Sequence, residues 1–307
     1  MDDDADLLEQ VAALATEVVT REIGRSSSLI DVQVIDAAEG QVSARLVMSG
    51  RPQFVLKLVR TDPAAGVDLR SAGQAMWLAA DVGVPVPRLL AVDTSRWLHG
   101  WTYLLAEHVD GLLWRKVAAE LDLQQRATVH RDLARSVLAM QSVTLPGFGR
   151  LGIANPDQPD LVAAVRQRAD QRVHVPQRRD LIRYLLERDA GFFVGSDGPV
   201  LTHDDLHHGN ILVREKDGYW RVVAVLDWDK AWAGPGEWDV ARMVFWDDMT
   251  GRTFWETYRA SRSRSPGEEH RRLIYQLIWC LEHEWPHARH RADTVALCHQ
   301  LGVPAPT

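Results

Sequence analysis

A short pattern of polar residues lies between apolar segments in residues 201–227, and it limits what the chain can fold into. His203, Asp205 and Asn210 occur in an HxDxxxxN arrangement, and a later apolar run ends in Asp227. A turn-prone Lys-Asp-Gly sequence separates the two apolar segments that follow the first motif. These segments predict a hairpin that brings the end of the second strand back to the first motif.

The residue types in this pattern suit chemistry on phosphate groups. Asp205 is the natural candidate for a base that receives a hydroxyl proton. Asn210 and Asp227 supply the hard oxygen ligands that Mg²⁺ prefers, so they predict a metal that bridges the phosphates of a nucleotide. The alternative is that the acids cap turns and the hairpin is only scaffold. Agreement of two separate motifs in type, order and spacing favours phosphoryl transfer.

The first third of the chain has the pattern of a small antiparallel sheet with helices. Apolar residues at helical spacing predict an opening helix over 6–23 and a second helix over 68–81, which the GVPVP sequence after it ends. Alternating β-branched segments separated by turn-prone residues predict strands. The predicted strands are 29–35, 41–48, 53–59, 89–93 and 102–108.

Helices dominate the rest of the chain. They are predicted at 124–141, 161–172, 178–190, 237–249, 252–262 and from 268 to the end. Strands that precede helices on this scale indicate an α+β architecture with a strand-rich lobe followed by a helical lobe.

Composition limits the compartment and the partners. The 307-residue chain has no apolar stretch near the roughly 20 residues that a bilayer-spanning helix needs, and residues 1–4 are not basic, so we expect a cytoplasmic protein without a membrane partner. Cys280 and Cys298 lack a CxxC spacing and read as reduced core residues. A net charge of −7 argues against a nucleic-acid partner.

The acidic residues concentrate around the motifs. Residues 196–248 contain eleven Asp or Glu and five Lys or Arg, which predicts a negative potential and a cationic small-molecule acceptor. The candidate partners for ammonium groups are Asp229, Asp247, Asp248, Glu256 and Glu282.

The motifs resemble those of the aminoglycoside phosphotransferase family of small-molecule and antibiotic kinases. HDDLHHGNILV resembles its HGDLHPGNILV signature, and LDWDKAWAGPGEWDVAR resembles its IDWxxAxxGxxxxDLA. Weaker likenesses occur in GVPVPRLL, YLLAEHVDG and LAMQSVTLPGFG. The resemblance implies a protein-kinase-like two-lobed fold, with a small antiparallel-sheet nucleotide-binding lobe at 1–109 and a larger helical lobe at 110–307 that holds the catalytic loop and the acceptor pocket.

The resemblance also implies a role for each matching residue. It makes Asp205 the catalytic base and Asn210 and Asp227 the metal ligands. His203 would order the catalytic loop and Asp239 would support it. For Asp239, capping of the helix that begins nearby is a compatible alternative.

A nucleotide site follows from the same resemblance. Lys57 lies in the apolar segment FVLKL, which suits the family's phosphate-binding lysine; the alternative is an edge-strand lysine that points to solvent. Backbone amides at Ala38, Glu39 and Gly40 are candidates to cover the phosphates. Backbone groups of Glu107, His108 and Val109 are expected to hold the base of ATP, or of GTP.

One position departs from the family pattern. Ser71 stands where a helix glutamate normally pairs with the strand lysine, and residues 70–80 contain no acid. Pairing of Lys57 with Asp68, pairing with another acid, and ordering of the lysine by the nucleotide all stay open.

The sequence thus predicts transfer of a γ-phosphoryl group to a hydroxyl of a small molecule, with a cationic antibiotic such as an aminoglycoside as the leading acceptor and resistance as the outcome. Alternatives are a kinase for choline, homoserine or a sugar, a kinase for a macrolide, hygromycin-like or peptide antibiotic, and a nucleotide-binding regulatory module with little turnover. The sequence does not indicate the oligomeric state.

Overall fold

The N-terminal part of the chain forms one five-stranded antiparallel sheet. The structure, a computed structural model, describes residues 2–24, 27–38, 40–50, 52–60, 67–152, 158, 160–283 and 287–306. The strands are β1 (Leu29–Ala38), β2 (Gln41–Met48), β3 (Phe54–Arg60), β4 (Leu89–Leu98) and β5 (Trp101–Glu107), in the spatial order β1-β2-β3-β5-β4. Helix α1 (Asp2–Glu22) precedes the sheet, and α2 (Leu69–Asp81) lies between β3 and β4. All five predicted strands and both helices are confirmed.

The two helices cover opposite faces of this sheet. β3 alternates its side chains between the faces, as a strand must. Phe54, Leu56 and Leu58 pack in one core with α1, whereas Val59 belongs to the core that contains α2. Lys57 shares a face with Val59, so the fold directs the lysine to the side that continues into the helical region.

β3 is an inner strand of the sheet. It pairs with β2 on one side and with β5 on the other, with Lys57 opposite Ser43 and Leu104. The Lys57 side chain is 19% exposed. The alternative of a solvent-facing lysine on an edge strand is therefore wrong.

Helix α2 begins at an aspartate cap. The Asp68 side chain accepts hydrogen bonds from the backbone N–H groups of Arg70 (3.0 Å) and Ser71 (3.4 Å), which otherwise lack a helical partner. The carboxylate of Asp68 therefore serves the helix, and it is not the partner of Lys57.

The C-terminal part of the chain is mainly helical. Its helices are α3 (Trp114–Val117), α4 (Leu123–Ser142), α5 (Leu161–Arg172), α6 (Pro176–Arg188), α7 (Glu237–Met243), α8 (Arg252–Ser261), α9 (Glu268–Glu282) and α10 (Ala288–Gln300). Its short strands are β6 (Leu112–Leu113), β7 (Val200–Thr202), β8 (Ile211–Lys216), β9 (Tyr219–Val225) and β10 (Trp232–Gly234). β7 pairs with β10, while β6, β8 and β9 form a second small sheet.

The predicted hairpin is confirmed, but two predicted helices are wrong in extent. Asp217 and Gly218 have φ of +54° and +79°, the left-handed pair that a tight hairpin turn between β8 and β9 needs. Helix α7 ends at Met243 instead of residue 249, because the chain continues in tight turns and reaches a left-handed φ of +60° at Asp248. The predicted helix from 268 onward is two helices, α9 and α10.

The cores of the helical region bury both cysteines. Cys280 and Cys298 are free thiols, and burial raises the pKa of Cys280 to about 12. Among the helices of the described residues, none is long and apolar enough to cross a membrane.

Candidate active site

The loop between β7 and β8 carries the first motif, and Asp239 of α7 holds its backbone. The Asp239 carboxylate accepts the backbone N–H groups of His203 (2.9 Å) and Asp204 (2.7 Å). Its oxygens are therefore directed to the loop. The alternative that Asp239 caps its own helix is wrong, since Gly236 occupies that position.

His203 joins this loop to the hairpin. Its Nδ1 accepts the backbone N–H of Asp205 at 3.1 Å, and its Nε2 lies 2.9 Å from the carbonyl oxygen of Leu226. Because Nδ1 accepts, Nε2 carries the proton and donates it to that carbonyl. Full burial lowers the pKa of His203, which keeps the ring neutral as this arrangement requires.

The two motifs meet at Asn210. Its Nδ2 donates to the Asp205 carbonyl at 3.0 Å, and the backbone N–H of Leu226 donates to the Asn210 carbonyl at 2.8 Å. The residue after Leu226 is Asp227. The structure thus brings Asp205, Asn210 and Asp227 to one place, and the hydrogen bond that the Asn210 side chain donates fixes its orientation there.

Lys57 reaches this place from the sheet. Its Nζ lies 3.2 Å from Asp227 Oδ1 and forms a second ion pair with Asp229. Burial acts to lower the pKa of Lys57, but the charges of Asp229 and Asp227 outweigh it and raise the pKa. We call these three residues the lysine cluster. Asp229 was expected to bind an acceptor ammonium group, whereas in the structure its carboxylate contacts the ammonium group of Lys57.

The donor set fits a magnesium ion bound together with phosphates. Asn210 and Asp227 offer an amide and a carboxylate oxygen, and the Asp227 side chain is 43% exposed. The lysine cluster has two carboxylates and one cation, so it favours a further positive charge. No group of three or more His, Cys, Asp or Glu residues suited to a metal occurs in the described part of the chain. In nucleotide sites Mg²⁺ usually binds through one or two carboxylates together with substrate phosphates.

Asp205 lies beside two cationic groups and the ring of His207, whose pKa is lowered by burial to about 4, so that the ring is neutral at neutral pH. Arg242 of α7 donates to its Oδ1, Lys230 Nζ lies 3.3 Å from its Oδ2, and His207 Nε2 lies 3.9 Å from Oδ1. Burial acts to raise the pKa of Asp205, but Arg242 and Lys230 more than offset this and lower it. The candidate base is therefore a carboxylate that is ionised at neutral pH.

Asp204 is a structural member of the site that the sequence analysis missed. It adopts φ +60° at the position where the family signature has glycine, the residue that tolerates this conformation best. Its buried carboxylate binds Arg168 and Arg172 of α5 and the indole N–H of Trp238. We call these four residues the arginine cluster. The replacement of the signature glycine by Asp was the available signal.

The other predicted acceptor acids do not gather at Asp205. Asp247 pairs with Arg289 at 2.9 Å, Asp248 with Arg126 at 2.9 Å, Glu256 with Arg252 at 2.7 Å, and Glu282 with Arg172. Asp247, Asp248 and Glu256 each pair with a different arginine, whereas Arg172 is shared by Glu282 and Asp204. These side chains are thus partnered within the protein, and their binding of an acceptor ammonium group stays a prediction.

The structure describes two of the three residues of the predicted phosphate-binding loop. Ala38 and Gly40 lie at the turn between β1 and β2, where the Gly40 carbonyl accepts the N–H of Arg60 at 2.7 Å. Glu39 lies outside the described residues. Whether this turn covers phosphates stays a prediction.

The expected contact of Glu107, His108 and Val109 with the base stays a prediction, and the structure shows which of their backbone groups are already bonded. The backbone N–H of Glu107 donates to Arg88 O at 2.9 Å and that of His108 donates to Gln53 O at 2.8 Å. These two donors are already used within the protein. Any hydrogen bond from the two residues to a base would therefore involve their carbonyl groups, with Val109 left as the predicted donor.

Known proteins share this fold. A structure provisionally named a fructosamine-3-kinase, from Thermobifida fusca YX-ER1, is 19% identical with a TM-score of 0.63, covering 94% of this chain and 97% of that one. Aminoglycoside phosphotransferase APH(4)-Ia is 16% identical with a TM-score of 0.62 (95% and 97% covered). A GDP complex of aminoglycoside 2'-phosphotransferase-IIIa is 13% identical with a TM-score of 0.61 (95% and 97% covered). The kinase-like α+β fold is confirmed.

The family match makes the class definite. The model of the phosphotransferase enzyme family (APH) matches residues 34–275. The kinase-like fold and this family match together identify the protein as a small-molecule kinase. The chain belongs to the phosphotransferase enzyme family.

Proposed function

We propose that the protein transfers the γ-phosphoryl group of ATP to a hydroxyl of a small molecule. The observation that carries this proposal is the meeting of Asp205, Asn210 and Asp227 at one end of a hairpin, with Lys57 of the sheet against them. We further propose that the nucleotide binds between a lobe at 1–109 and a lobe at 110–307.

The side chains divide the work of such a transfer. A bound Mg²⁺ would offset the phosphate charge, and Asn210 and Asp227 would hold it. Lys57 would contact the phosphates and fix their position. Asp205 would orient the acceptor hydroxyl and take its proton as the new O–P bond forms, while the bond between the γ-phosphorus and its bridging oxygen breaks and ADP leaves with that electron pair.

A cationic antibiotic stays the acceptor that the resemblance predicts. A structure of a thermostable APH(4)-Ia mutant, 16% identical to this chain with a TM-score of 0.61, holds AMP-PNP and hygromycin B. This likeness supports an aminoglycoside-type acceptor for the present protein, with resistance as the consequence. It also supports an adenine nucleotide as the donor.

The groups around Asp205 favour a second candidate, an acceptor that carries an anionic group. Lys230 Nζ and the Arg242 guanidinium both contact the Asp205 carboxylate. An acceptor hydroxyl held by Asp205 would place its neighbouring substituents near these cations. An ammonium group there would be repelled, whereas a carboxylate would be attracted.

A matched acceptor panel tests both candidates. Purified protein with ATP and Mg²⁺ is incubated with glucosamine, glucose and glucuronic acid, which differ in charge, and with hygromycin B and kanamycin. Mass spectrometry detects the added phosphoryl group. Phosphorylated antibiotics support the first candidate, and a preference for glucuronic acid over glucosamine supports the second.

Asp205→Asn tests the proposed role of the base. It keeps the size of the side chain and removes the base, so turnover should fall by about 10²–10⁴-fold, with the circular dichroism spectrum unchanged. A variant as active as the wild type contradicts the proposed chemistry. ATP binding without turnover on any acceptor indicates the regulatory module instead.

We place the protein in the cytoplasm, where ATP is supplied. Its two cysteines are free thiols in apolar cores, which suits a reducing compartment.

A further inference from the structure

Helix α2 offers Lys57 no carboxylate. The helix contains no Asp or Glu up to Ala80, and the acid before it, Asp68, accepts backbone N–H groups of the first turn. Ser71, at the position of the family's glutamate, is buried, and its hydroxyl has no hydrogen-bond partner among the described residues. The strand lysine therefore needs a partner from elsewhere in the chain.

Asp229 is placed to be that partner. It lies just after β9, and its carboxylate forms an ion pair with Lys57 Nζ. Its side chain is 14% exposed, against 43% for Asp227. The two acids of the lysine cluster thus differ in access: one is open to a ligand from solvent, and the other is enclosed against the lysine.

Trp228 fixes the two acids side by side. Its side chain is buried, its indole N–H donates to Val225 O at 3.0 Å, and its ring lies 4.5 Å from the ring of His203. The indole is thus held in the core beside the catalytic loop. Both neighbouring carboxylates reach the same lysine nitrogen, so the segment presents them together to β3.

We propose that Asp229 is the positioning residue for Lys57, in place of a helix carboxylate. The inference rests on the proposed function, because the lysine is held in order to contact nucleotide phosphates. Asp229 neutralises and orients the ammonium group. Asp227 then remains available for the metal.

This arrangement changes what the nucleotide site depends on. The lysine partner and the metal ligand belong to one segment, two residues apart, so the hairpin that orders one orders the other. Helix α2 contributes packing but no ion pair to Lys57. Nucleotide affinity should therefore respond to changes at Asp229 and hardly at all to changes at Ser71.

The experiment measures binding of AMP-PNP with Mg²⁺ by calorimetry, with GMP-PNP in parallel. Asp229→Asn should weaken binding about tenfold, which corresponds to about 1.4 kcal/mol, and should raise the KM for ATP more than it lowers kcat. Asp229→Glu should restore most of the affinity, since it restores the charge. Ser71→Ala and Asp247→Asn serve as matched controls, and both should bind as the wild type does.

A double-mutant cycle separates positioning from general stability. In a Lys57→Met background Asp229→Asn should cause less than a twofold further loss, because the group that it orients is gone. Urea unfolding of each variant shows whether the fold is retained.

Three outcomes would overturn the inference. They are full affinity in Asp229→Asn, an equal loss with and without Lys57, and a loss in Ser71→Ala as large as that in Asp229→Asn. A wild-type protein that binds neither nucleotide would instead overturn the proposed function, and the inference with it.

Discussion

Asp204 and Asp227 have nearly the same backbone conformation, with φ of +60° and +61°, yet their side chains have opposite surroundings. Asp204 is buried in the arginine cluster, where Arg168 Nε lies 2.8 Å from its Oδ2. Asp227 belongs to the lysine cluster, and its side chain is 43% exposed. One acid has an excess of cations around it, and the other shares a single cation with a second acid.

The surroundings of the two acids indicate that the arginine cluster holds the loop between β7 and β8, whereas the lysine cluster is the candidate ligand site. In the arginine cluster, two guanidinium groups of α5 and one indole N–H saturate a single carboxylate. This ties α5 and α7 to the catalytic loop from behind. In the lysine cluster, negative charge exceeds positive charge, which favours a bound cation such as Mg²⁺. We therefore expect the first cluster to contribute stability and the second to contribute binding.

Asp204→Asn should cause the greatest loss of stability, and Asp227→Asn makes the same substitution in the other cluster for comparison. Asp204→Asn leaves the largely buried Arg168 without its carboxylate and removes one of the two carboxylates that contact Arg172, so it should lower the free energy of unfolding by about 3–5 kcal/mol. Asp227→Asn removes a partly exposed charge while Lys57 keeps Asp229, so its cost should stay below about 1 kcal/mol. Asparagine tolerates the left-handed conformation at both sites. Urea denaturation measures both values.

Equal costs for the two variants would contradict the assignment of separate roles. Glu256→Gln is the reference for an ordinary surface ion pair, because Arg252 and Glu256 are both highly exposed. It should cost no more than about 0.5 kcal/mol.

The second effect concerns ligand binding. With AMP-PNP and Mg²⁺ at about 100 times the dissociation constant, the wild-type protein should gain about 2.7 kcal/mol in unfolding free energy. Asp227→Asn under the same concentrations should gain far less, because a metal ligand is lost. Removal of Mg²⁺ with EDTA should abolish most of the wild-type gain. A gain that is independent of Mg²⁺ and of Asp227 would place the metal elsewhere.

The lysine cluster also shows what the sequence could predict. Asn210 and Asp227 could be brought together from the sequence, because a turn of fixed length between two apolar strands sets a local register. Lys57 could be singled out from its place in an apolar strand together with the family resemblance. Its partner could not, since Asp229 lies 172 residues later and the contact depends on how the sheet packs on the helical region, which no spacing records.

The arginine cluster shows what the sequence could not predict. Arg168 and Arg172 lie one helical turn apart and so face the same side of α5, but nothing in the sequence says which acid they meet. The same limit applies to the predicted acceptor acids: acidity over 196–248 was visible, while the cations that neutralise Asp247 and Glu282 come from other helices. Charge counts in one segment cannot reveal partners from another.

The smallest effect is a difference in acid sensitivity. Burial opposes ionisation of Asp204, but Arg168, Arg172 and Arg242 outweigh it and lower its pKa below the ordinary carboxyl value. A depressed pKa gives stability that is present above the unfolded-state value of the carboxyl group and is lost as the pH falls through the folded-state value. Glu282, Asp205 and Asp239 face the same groups and titrate in both proteins. Burial first, and the charge of Asp204 in addition, raise the pKa of Asp239 to about 7, which lies above the pH range of the comparison.

Between about pH 5 and pH 3 the wild-type protein should therefore lose about 1 kcal/mol more unfolding free energy than Asp204→Asn, in which this group no longer titrates. Urea unfolding at stepped pH measures the two slopes. Asp227→Asn is the matched control, because it makes the same substitution outside the arginine cluster, and its slope should follow that of the wild type. Parallel slopes for wild type and Asp204→Asn would mean that the arginine cluster does not hold Asp204 in its charged form.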